Sequence, residues 1–359
     1  MEAYKLYKQK TKHKISEKYD ILGFISAGTY GKVFKAKIRH SKHKPSHELA
    51  IKQFKPEGQH DKSQPIGISQ SACREIALCR ELNHINVVFL QDVMMEDGLI
   101  HMVLRYAEYD LLTMLQYHKK FRKPLPELVI KSMLFQTLEG VNYLHNNGIM
   151  HRDLKPANLL VDRDGLLKVG DLGLARLYNR PFLPLYAGDK VVVTIWYRAP
   201  ELILGSRHYT TAVDMWAIGC IFGEMLTLRP MFNGEEVKME TKKVIPFQKA
   251  QMIKICEIMG SPSATQWPEL EFMPELANMK KIRSYPINFR TWFQNSFLKS
   301  DDSFSLLSKM LEYNPNKRIS AQAALTHSFF KEDPTPVLNP LQTLNIVYPE
   351  RPLHKDEKM

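Results

Sequence analysis

Two acids and an amide in the middle of the chain have the types and spacing for phosphate chemistry. In "HRDLKPANLL" (His151 to Leu160), Asp153 and Asn158 stand five apart in a tight loop that contains Pro156. A carboxylate so placed can accept a proton from a hydroxyl, and an amide oxygen can bind a divalent ion. A second acid, Asp171 in "VGDLGLAR", follows a short apolar run. It suits Mg²⁺, which takes few carboxylates and completes its shell with phosphate oxygens. Far upstream, "ISAGTYGKVF" puts Gly28 and Gly31 on either side of a turn between two strand-like runs. Backbone N–H groups approach phosphates closely where no Cβ intrudes. By itself that pattern fits any hairpin. It gains meaning from Lys52, at the end of "LAIK", and from Glu75 in "SACREIALCRE". A lysine held by a glutamate can bind the α- and β-phosphates of a nucleotide from a fixed position. Taken singly, each residue also fits a solvated loop or strand end; taken in this order, they point to phosphoryl transfer.

The elements that must carry these residues are legible in the pattern. "YDILGFISA", "GKVFKAKIR", "ELAIKQF", "NVVFLQDVMM" and "LIHMVLRY" are β-branched and aromatic runs and read as five strands. One helix, "SQSACREIALCREL", lies between the third and fourth, and the polar Pro/Gly-containing stretches between runs read as loops. From Asp110 onward helices take over. Ile130, Met133, Leu134, Leu138, Val141 and Leu144 recur at helical spacing on one face, and "VDMWAIGCIFGEML" is apolar almost all round and should be buried. The expected division is a basic segment 1–18, a strand-rich part 19–105, a helical part 106–330 and an extension 331–359. The Pro-rich extension is expected to lie extended over the surface. A cleft between the two parts is a natural ligand site.

Composition narrows the classes. The chain has 359 residues, enough for two sub-domains, and its 44% apolar and 25% charged fractions are ordinary for a globular protein rather than a disordered one. A net charge of +12 favours anionic partners such as nucleotides, acidic proteins or nucleic acid. Cys73, Cys79, Cys220 and Cys256 form no CxxC pair and no metal spacing, which suits unpaired thiols in a reducing compartment. The Lys-rich N-terminus has no apolar segment of a secretory signal, and no stretch is long enough to span a bilayer.

The ordered set SAGTYG, Lys52, Glu75, His151-Arg152-Asp153…Asn158, Asp171-Leu172-Gly173 and Ala199-Pro200-Glu201 resembles a eukaryotic protein kinase from about Tyr19 to Phe330. The resemblance implies an α+β bilobal fold, with a small β-rich N-lobe and a larger helical C-lobe, and ATP with Mg²⁺ as cofactors. It implies that Asp153 is the catalytic base, that Lys155 neutralises the moving phosphoryl group, and that Lys52 and Glu75 position the ATP phosphates. Asn158 and Asp171 correspond to the metal ligands. The implied nucleotide site comprises Ser26, Ala27, Gly28, Gly31, Val33, Ala50, Lys52, Leu104, Tyr106, Ala107, Asp110, Asn158, Leu160 and Asp171, with Leu104 to Ala107 as the adenine-binding hinge. Asp214 and Arg318 correspond to buried structural groups.

Lys155 after Asp153, with Thr194 positioned to reach both, resembles the Ser/Thr-specific kinases. "VVTIWYRAPEL" and "DMWAIGCIFGEML" are similar to the cyclin-dependent branch, in which residues matching Val192, Val193 and Arg198 form the pocket for a proline after the target hydroxyl. "SQSACRE" resembles the "SMSACRE" of the Mediator-associated, cyclin C-dependent subfamily, and the match resembles a fungal member. That subfamily acts in the nucleus on the RNA polymerase II C-terminal repeat and on transcription factors. The implied partners are a C-type cyclin, Mediator kinase-module subunits and proteins with Ser/Thr-Pro sites, with no membrane and no direct nucleic-acid binding. The alternative is a kinase-shaped scaffold of low activity.

Three positions depart from the pattern. Ser26 stands at the first glycine of the loop, and Leu172 replaces the usual Phe of DFG. Asp189 stands where most cyclin-dependent kinases carry a phosphorylated Thr, facing three matching arginines, Arg74, Arg152 and Arg176. One carboxylate brings less charge than a phosphate, so Asp189 reads either as a partial substitute that an acid from a bound partner would complete or as a loop Asp in solvent. The basic stretch Lys5 to Lys14 reads as a cyclin-docking helix, a nuclear-import or nucleic-acid patch, or a tail.

Overall fold

The computed structural model describes residues 14–28, 31–39, 48–55, 70–178, 195–237 and 246–354. Asp189, Val192, Val193, Thr194 and all of the basic stretch but Lys14 lie outside the described residues. Two compact units divide the chain. One takes residues 1–109, 170–174 and 349–359, and the other takes 110–169 and 175–348.

The first unit is built on a five-stranded antiparallel sheet. Its strands are β1 (Tyr19–Ala27), β2 (Gly31–Ile38), β3 (Leu49–Phe54), β4 (Leu90–Glu96) and β5 (Leu99–Arg105), in the order β1-β2-β3-β5-β4. Helix α1 (Ile15–Lys18) precedes the sheet and α2 (Gln70–Glu81) falls between β3 and β4. Alternate residues of the strands turn inward, and Ile15, Tyr19, Ala36, Leu49, Ile51, Met94 and Val103 form one buried cluster. Helix α1 is pinned to that cluster's edge by the Ile15 N–H, which donates to Glu96 Oε2 at 3.0 Å. The fourth strand begins later than the apolar run suggests, at Leu90 rather than Asn86. Val87 and Val88 are buried, but they sit after a turn in which the Val87 N–H donates to the His84 carbonyl at 3.1 Å. Apolar content there reflects burial without strand pairing.

Gly31 is required by close approach. A Cβ at this position would lie 1.9 Å from the Gln53 carbonyl oxygen, a backbone atom that cannot swing away. Gly31 pairs with Phe54 in the β2–β3 ladder, so Gly31→Ala must part the two strands where the glycine turn begins. The expected cost is about 1–3 kcal/mol of stability. Thermal unfolding checks it, and an unchanged Tm would show that the ladder absorbs the methyl group. Gly28 differs, because nothing lies within 4 Å of its hypothetical Cβ. Its space is open, as approach of a ligand to the backbone requires.

The second unit is mainly helical. Helix α3 (Leu111–Phe121) starts at Asp110, whose Oδ1 accepts the Thr113 N–H at 2.7 Å. Helix α4 (Glu127–Asn146) buries the expected face, Ile130, Met133, Leu134, Leu138, Val141 and Leu144. Two short strands follow, β6 (Leu159–Val161) antiparallel to β7 (Leu167–Val169), within a small three-stranded sheet. Helix α5 (Ala212–Thr227) is buried at every position from Ala212 to Leu226, as its apolar sequence predicts. Among the described residues no helix is long and apolar enough to cross a membrane, and all four cysteines are unpaired.

The extension beyond 330 is not simply laid over the surface. Pro340–Thr343 forms a helical turn, Leu341 is fully buried and Tyr348 is 4% exposed. The Tyr348 hydroxyl bonds His118 Nε2 at 2.8 Å. Beyond it, Phe24 and His354 exchange backbone hydrogen bonds of 2.9 and 3.1 Å, which adds the last described residue to the edge of β1. The two apolar anchors and this edge pairing are what hold a Pro-rich segment in place.

Candidate active site

In the first unit, strand register gathers the nucleotide-site positions. Ser26 lies opposite Val33, Val33 opposite Lys52, and Ala50 opposite Leu104. Cross-strand partners and residues two apart share a face, so these side chains share one face of the sheet. Ser26, Ala27 and Gly28 are exposed, and the turn they enter is closed by the Gly28 N–H donating to the Gly31 carbonyl at 2.8 Å. Tyr106 is buried, and Ala107 beside it is half-buried. The Tyr106 N–H donates to the Glu48 carbonyl at 3.1 Å.

Lys52 is the charged centre of this face. Its Nζ donates to both oxygens of Glu75, at 2.9 and 2.7 Å, and to Asp171 Oδ1 at 3.0 Å. Burial acts to lower the Lys52 ammonium, and the Glu75 and Asp171 carboxylates outweigh it and hold it above the usual lysine range. Burial pushes the Glu75 carboxyl upward, and the Lys52 charge pulls against that. The lysine is therefore a permanent cation at a fixed place, as phosphate binding requires. Asp171 adopts a left-handed backbone, φ 59°, which is uncommon for a residue with a Cβ. Such conformations persist where the surroundings hold them, and here the Lys52 contact does so. Leu172 is fully buried, and Arg74 Nη1 donates to the Gly173 carbonyl at 2.7 Å.

In the second unit the loop 151–158 is organised around two carboxylates. Asp153 is 4% exposed, and its Oδ2 accepts from Lys155 Nζ at 2.8 Å and from Asn158 Nδ2 at 3.2 Å. Asn158 Nδ2 also donates to the Asp153 carbonyl at 2.8 Å. Pro156 opens the short turn 156–158 that brings Asn158 back toward Asp153. Beneath the loop, Asp214 accepts from the His151 and Arg152 N–H groups at 2.9 and 2.8 Å and bonds His145 Nε2 at 2.9 Å. Burial works to raise Asp214, but these bonds, His145 first, hold it below the usual carboxylate range. Through these bonds Asp214 pins the backbone of the 151–158 loop. Arg318 likewise supports the fold through two bonds to Glu201, at 2.8 and 3.0 Å.

Other expected positions fall on either unit. Asp110 uses its carboxylate as a helix cap, and Leu160 is half-buried on β6. Arg198 follows a helical turn over Ile195–Tyr197, and its N–H donates to the Ile195 carbonyl at 3.1 Å. Arg152, in left-handed backbone at φ 69°, donates from Nη1 to the Tyr209 hydroxyl at 2.7 Å. Arg176 opens a two-residue strand paired with Met150.

Sequence reasoning missed three supporting residues. His145 and Tyr209 contact Asp214 and Arg152 respectively, and Glu224 accepts the Tyr197 hydroxyl at 2.6 Å. Each lies far along the chain from its partner. A buried acid in a largely apolar helix was the one signal available for Glu224.

Among the described residues no cluster of three or more His, Cys, Asp or Glu could hold a metal. The donor chemistry present, the Asp171 carboxylate beside Lys52 in the first unit and the Asn158 amide oxygen in the second, is of the kind that Mg²⁺ takes when phosphate oxygens complete its shell.

Residues 19–330 match the protein kinase domain. The serine/threonine-protein kinase SSN3 of Yarrowia lipolytica is 51% identical over 350 residues, covering 97% of this chain and 86% of that protein. The protein of the same name from Emericella nidulans is 47% identical over 368 residues, with the same coverage of 97% and 86%. A chain in the crystal structure of the yeast RNA Pol II CTD kinase CTDK-1 complex superposes with a TM-score of 0.74 at 32% identity, covering 89% of this chain and 95% of that one. The chain belongs to the protein kinase family, and its relatives place it among the serine/threonine-specific members. Members of this family use ATP together with a divalent metal ion.

Proposed function

We propose that this chain is a cyclin-dependent, proline-directed Ser/Thr kinase, the Mediator kinase, acting in the nucleus on the RNA polymerase II C-terminal repeat and on transcription factors. The observation that carries the catalytic part is the buried Asp153 carboxylate, oriented by Lys155 and Asn158. Asp153 accepts the proton of the substrate hydroxyl as that oxygen bonds the γ-phosphorus and the bond from the γ-phosphorus to the bridging oxygen breaks, releasing ADP. Lys155, now bonded to Asp153, is the cation at hand for the negative charge that develops on the transferred group. Lys52, fixed by Glu75, binds the α- and β-phosphates, and the half-buried face Val33, Ala50 and Leu104 takes the adenine side. Asn158 and Asp171 are the metal ligands. Bound ATP with Mg²⁺ supplies the phosphoryl group and neutralises its charge. Catalysis of this kind is mostly positioning and electrostatics, which suits a site built from hydrogen-bonded side chains.

The Mediator and C-terminal-repeat assignment is supported by the likeness to SSN3 proteins and to a CTD kinase complex. A C-type cyclin and Mediator kinase-module subunits are the proposed partners. Arg74, Arg152 and Arg176 are the proposed receivers of Asp189 and of an acid from the cyclin, so activation needs a partner but no activating kinase. The test uses chain made in bacteria, with and without a C-type cyclin, and peptides that differ only as Ser-Pro, Ser-Ala and Tyr-Pro. Cyclin should raise transfer strongly, Ser-Pro should be preferred, and Tyr-Pro should remain unmodified. Equal use of Ser-Pro and Ser-Ala, or full activity without cyclin, would contradict this reading.

A further inference from the structure

Helix α3 ends in a run of exposed cations. Lys119, Lys120, Arg122 and Lys123 fall within five residues, all are exposed, and Phe121 among them is 51% exposed. Among the described residues none of the four forms an ion pair with a carboxylate. Lys120 Nζ instead lies 5.7 Å from the Phe121 ring centroid, and Lys119 attracts the buried Glu224 carboxylate without bridging to it.

The helix dipole favours cations in the last turn, which accounts for Lys119 and Lys120. It does not account for Arg122 and Lys123, which lie beyond the helix. Arg122 occupies the left-handed capping position, φ 52°, where glycine is the usual choice. The turn is held in place from below. The Lys123 N–H donates to the His118 carbonyl at 3.1 Å, and His118 Nδ1 bonds the Lys123 carbonyl at 3.0 Å. His118 in turn bonds the buried Tyr348, and Tyr117 packs edge-on against the same tyrosine with centroids 5.3 Å apart. Only the backbone is held in this way, so the cations sit at set places along the turn while their exposed side chains remain free to adapt to an anion.

The helix also bounds how far the patch can lie from the chemistry. Helix α3 packs against the 156–158 turn of the catalytic loop, in the same unit. Its 11 residues extend about 16 Å, at a rise of about 1.5 Å per residue. An extended peptide covers that in about five residues.

We infer that this cationic turn is a docking surface for an acidic protein segment that already carries phosphate esters. The product of one transfer would thereby be held while a neighbouring site on the same substrate reaches Asp153. The inference rests on the Ser/Thr-Pro kinase reading, because that reaction makes the segment in question. A protein segment fits better than nucleic acid. The patch is short and has one exposed aromatic residue, whereas single-stranded nucleic acid is bound along a groove with successive stacking rings.

The test is fluorescence anisotropy with a labelled peptide containing three Ser-Pro sites, once with two sites phosphorylated and once with none. It is run on the full chain, on K120E/R122E/K123E and on the milder K120A/R122A/K123A. Three exposed charge pairs together are expected to give a preference of about tenfold for the phosphorylated form. Both triple variants should lose the preference while turnover of an unphosphorylated single-site peptide stays unchanged. Equal binding of the two peptides by the parent chain, or a preference that survives both variants, would overturn the inference. So would tighter binding of a single-stranded RNA of equal charge that the same variants abolish. Binding is read without turnover, so failure here is separate from failure of the kinase reading, which the transfer assay reports.

Discussion

Replacing Asp153 with Asn should lower phosphoryl transfer by about 10²–10⁴-fold, which corresponds to about 3–5.5 kcal/mol of transition-state stabilisation. The substitution keeps the size of the side chain and removes its charge and its capacity to take a proton. Asp153 is 4% exposed and anchored by Lys155 and Asn158, so water cannot readily take its place. The fold should tolerate the change, because an amide oxygen can still accept from Lys155 Nζ. Nucleotide binding should be nearly unchanged, because the phosphate-binding Lys52 lies in the other unit and has its own partners. The check is kcat at saturating ATP together with the dissociation constant of a fluorescent ATP analogue. A variant within tenfold of the parent would remove Asp153 from the chemistry.

The second large effect is on stability. Lys52→Met leaves Glu75, 2% exposed, without the cation that bonds both of its oxygens, while Asp171 adds a like charge nearby. Breaking a buried pair from one side typically costs about 3–5 kcal/mol. The charge need not persist, because Glu75 can take up a proton. Burial already pushes its carboxyl upward, and with Lys52 gone the opposing attraction is gone too. A carboxyl whose folded pKa lies above its unfolded value of about 4.3 favours the folded state below that value and loses this as pH rises through the folded pKa. The gap between parent and variant should therefore be smallest in acid and widen toward neutrality. The Lys52 contribution in the parent has the same sign but a higher pH window. Its folded pKa is raised, so its stabilisation is present below the ordinary lysine range and lost above it. Urea denaturation of both proteins across pH measures the gap. A gap that does not change with pH would mean that Glu75 stays charged or is rehydrated in the variant.

Much of this site was visible in the sequence because its parts are local. Lys52 lies within a strand run, Glu75 lies on a helix with clear periodicity, and Asp153 to Asn158 occupy one loop around a proline. The strands and the two long helices were legible for the same reason, since periods of 2 and 3.6 need only a few residues to declare themselves. What was not legible depends on pairing across long sequence distances. Residues 170–174 return to the first unit, and Lys52 bonds Asp171 across 119 positions. No local pattern encodes that return. The anchoring of the extension beyond 330 was not legible, because proline content describes local stiffness, whereas its placement is set by Leu341, Tyr348 and the backbone pairing at Phe24. Nothing in the sequence pointed to Tyr209 as a partner of Arg152 until the fold placed its hydroxyl there.

The most direct measurement is single-turnover transfer of labelled γ-phosphate from Mg²⁺-ATP to a Ser-Pro peptide by the chain bound to a C-type cyclin, beside the Asp153→Asn protein in the same complex. The account predicts rapid labelling of serine by the parent complex and a loss of at least about 10²-fold in the variant, with equal ATP occupancy. No labelling by either complex, with cyclin bound and ATP saturating, would contradict it and leave a kinase-shaped scaffold.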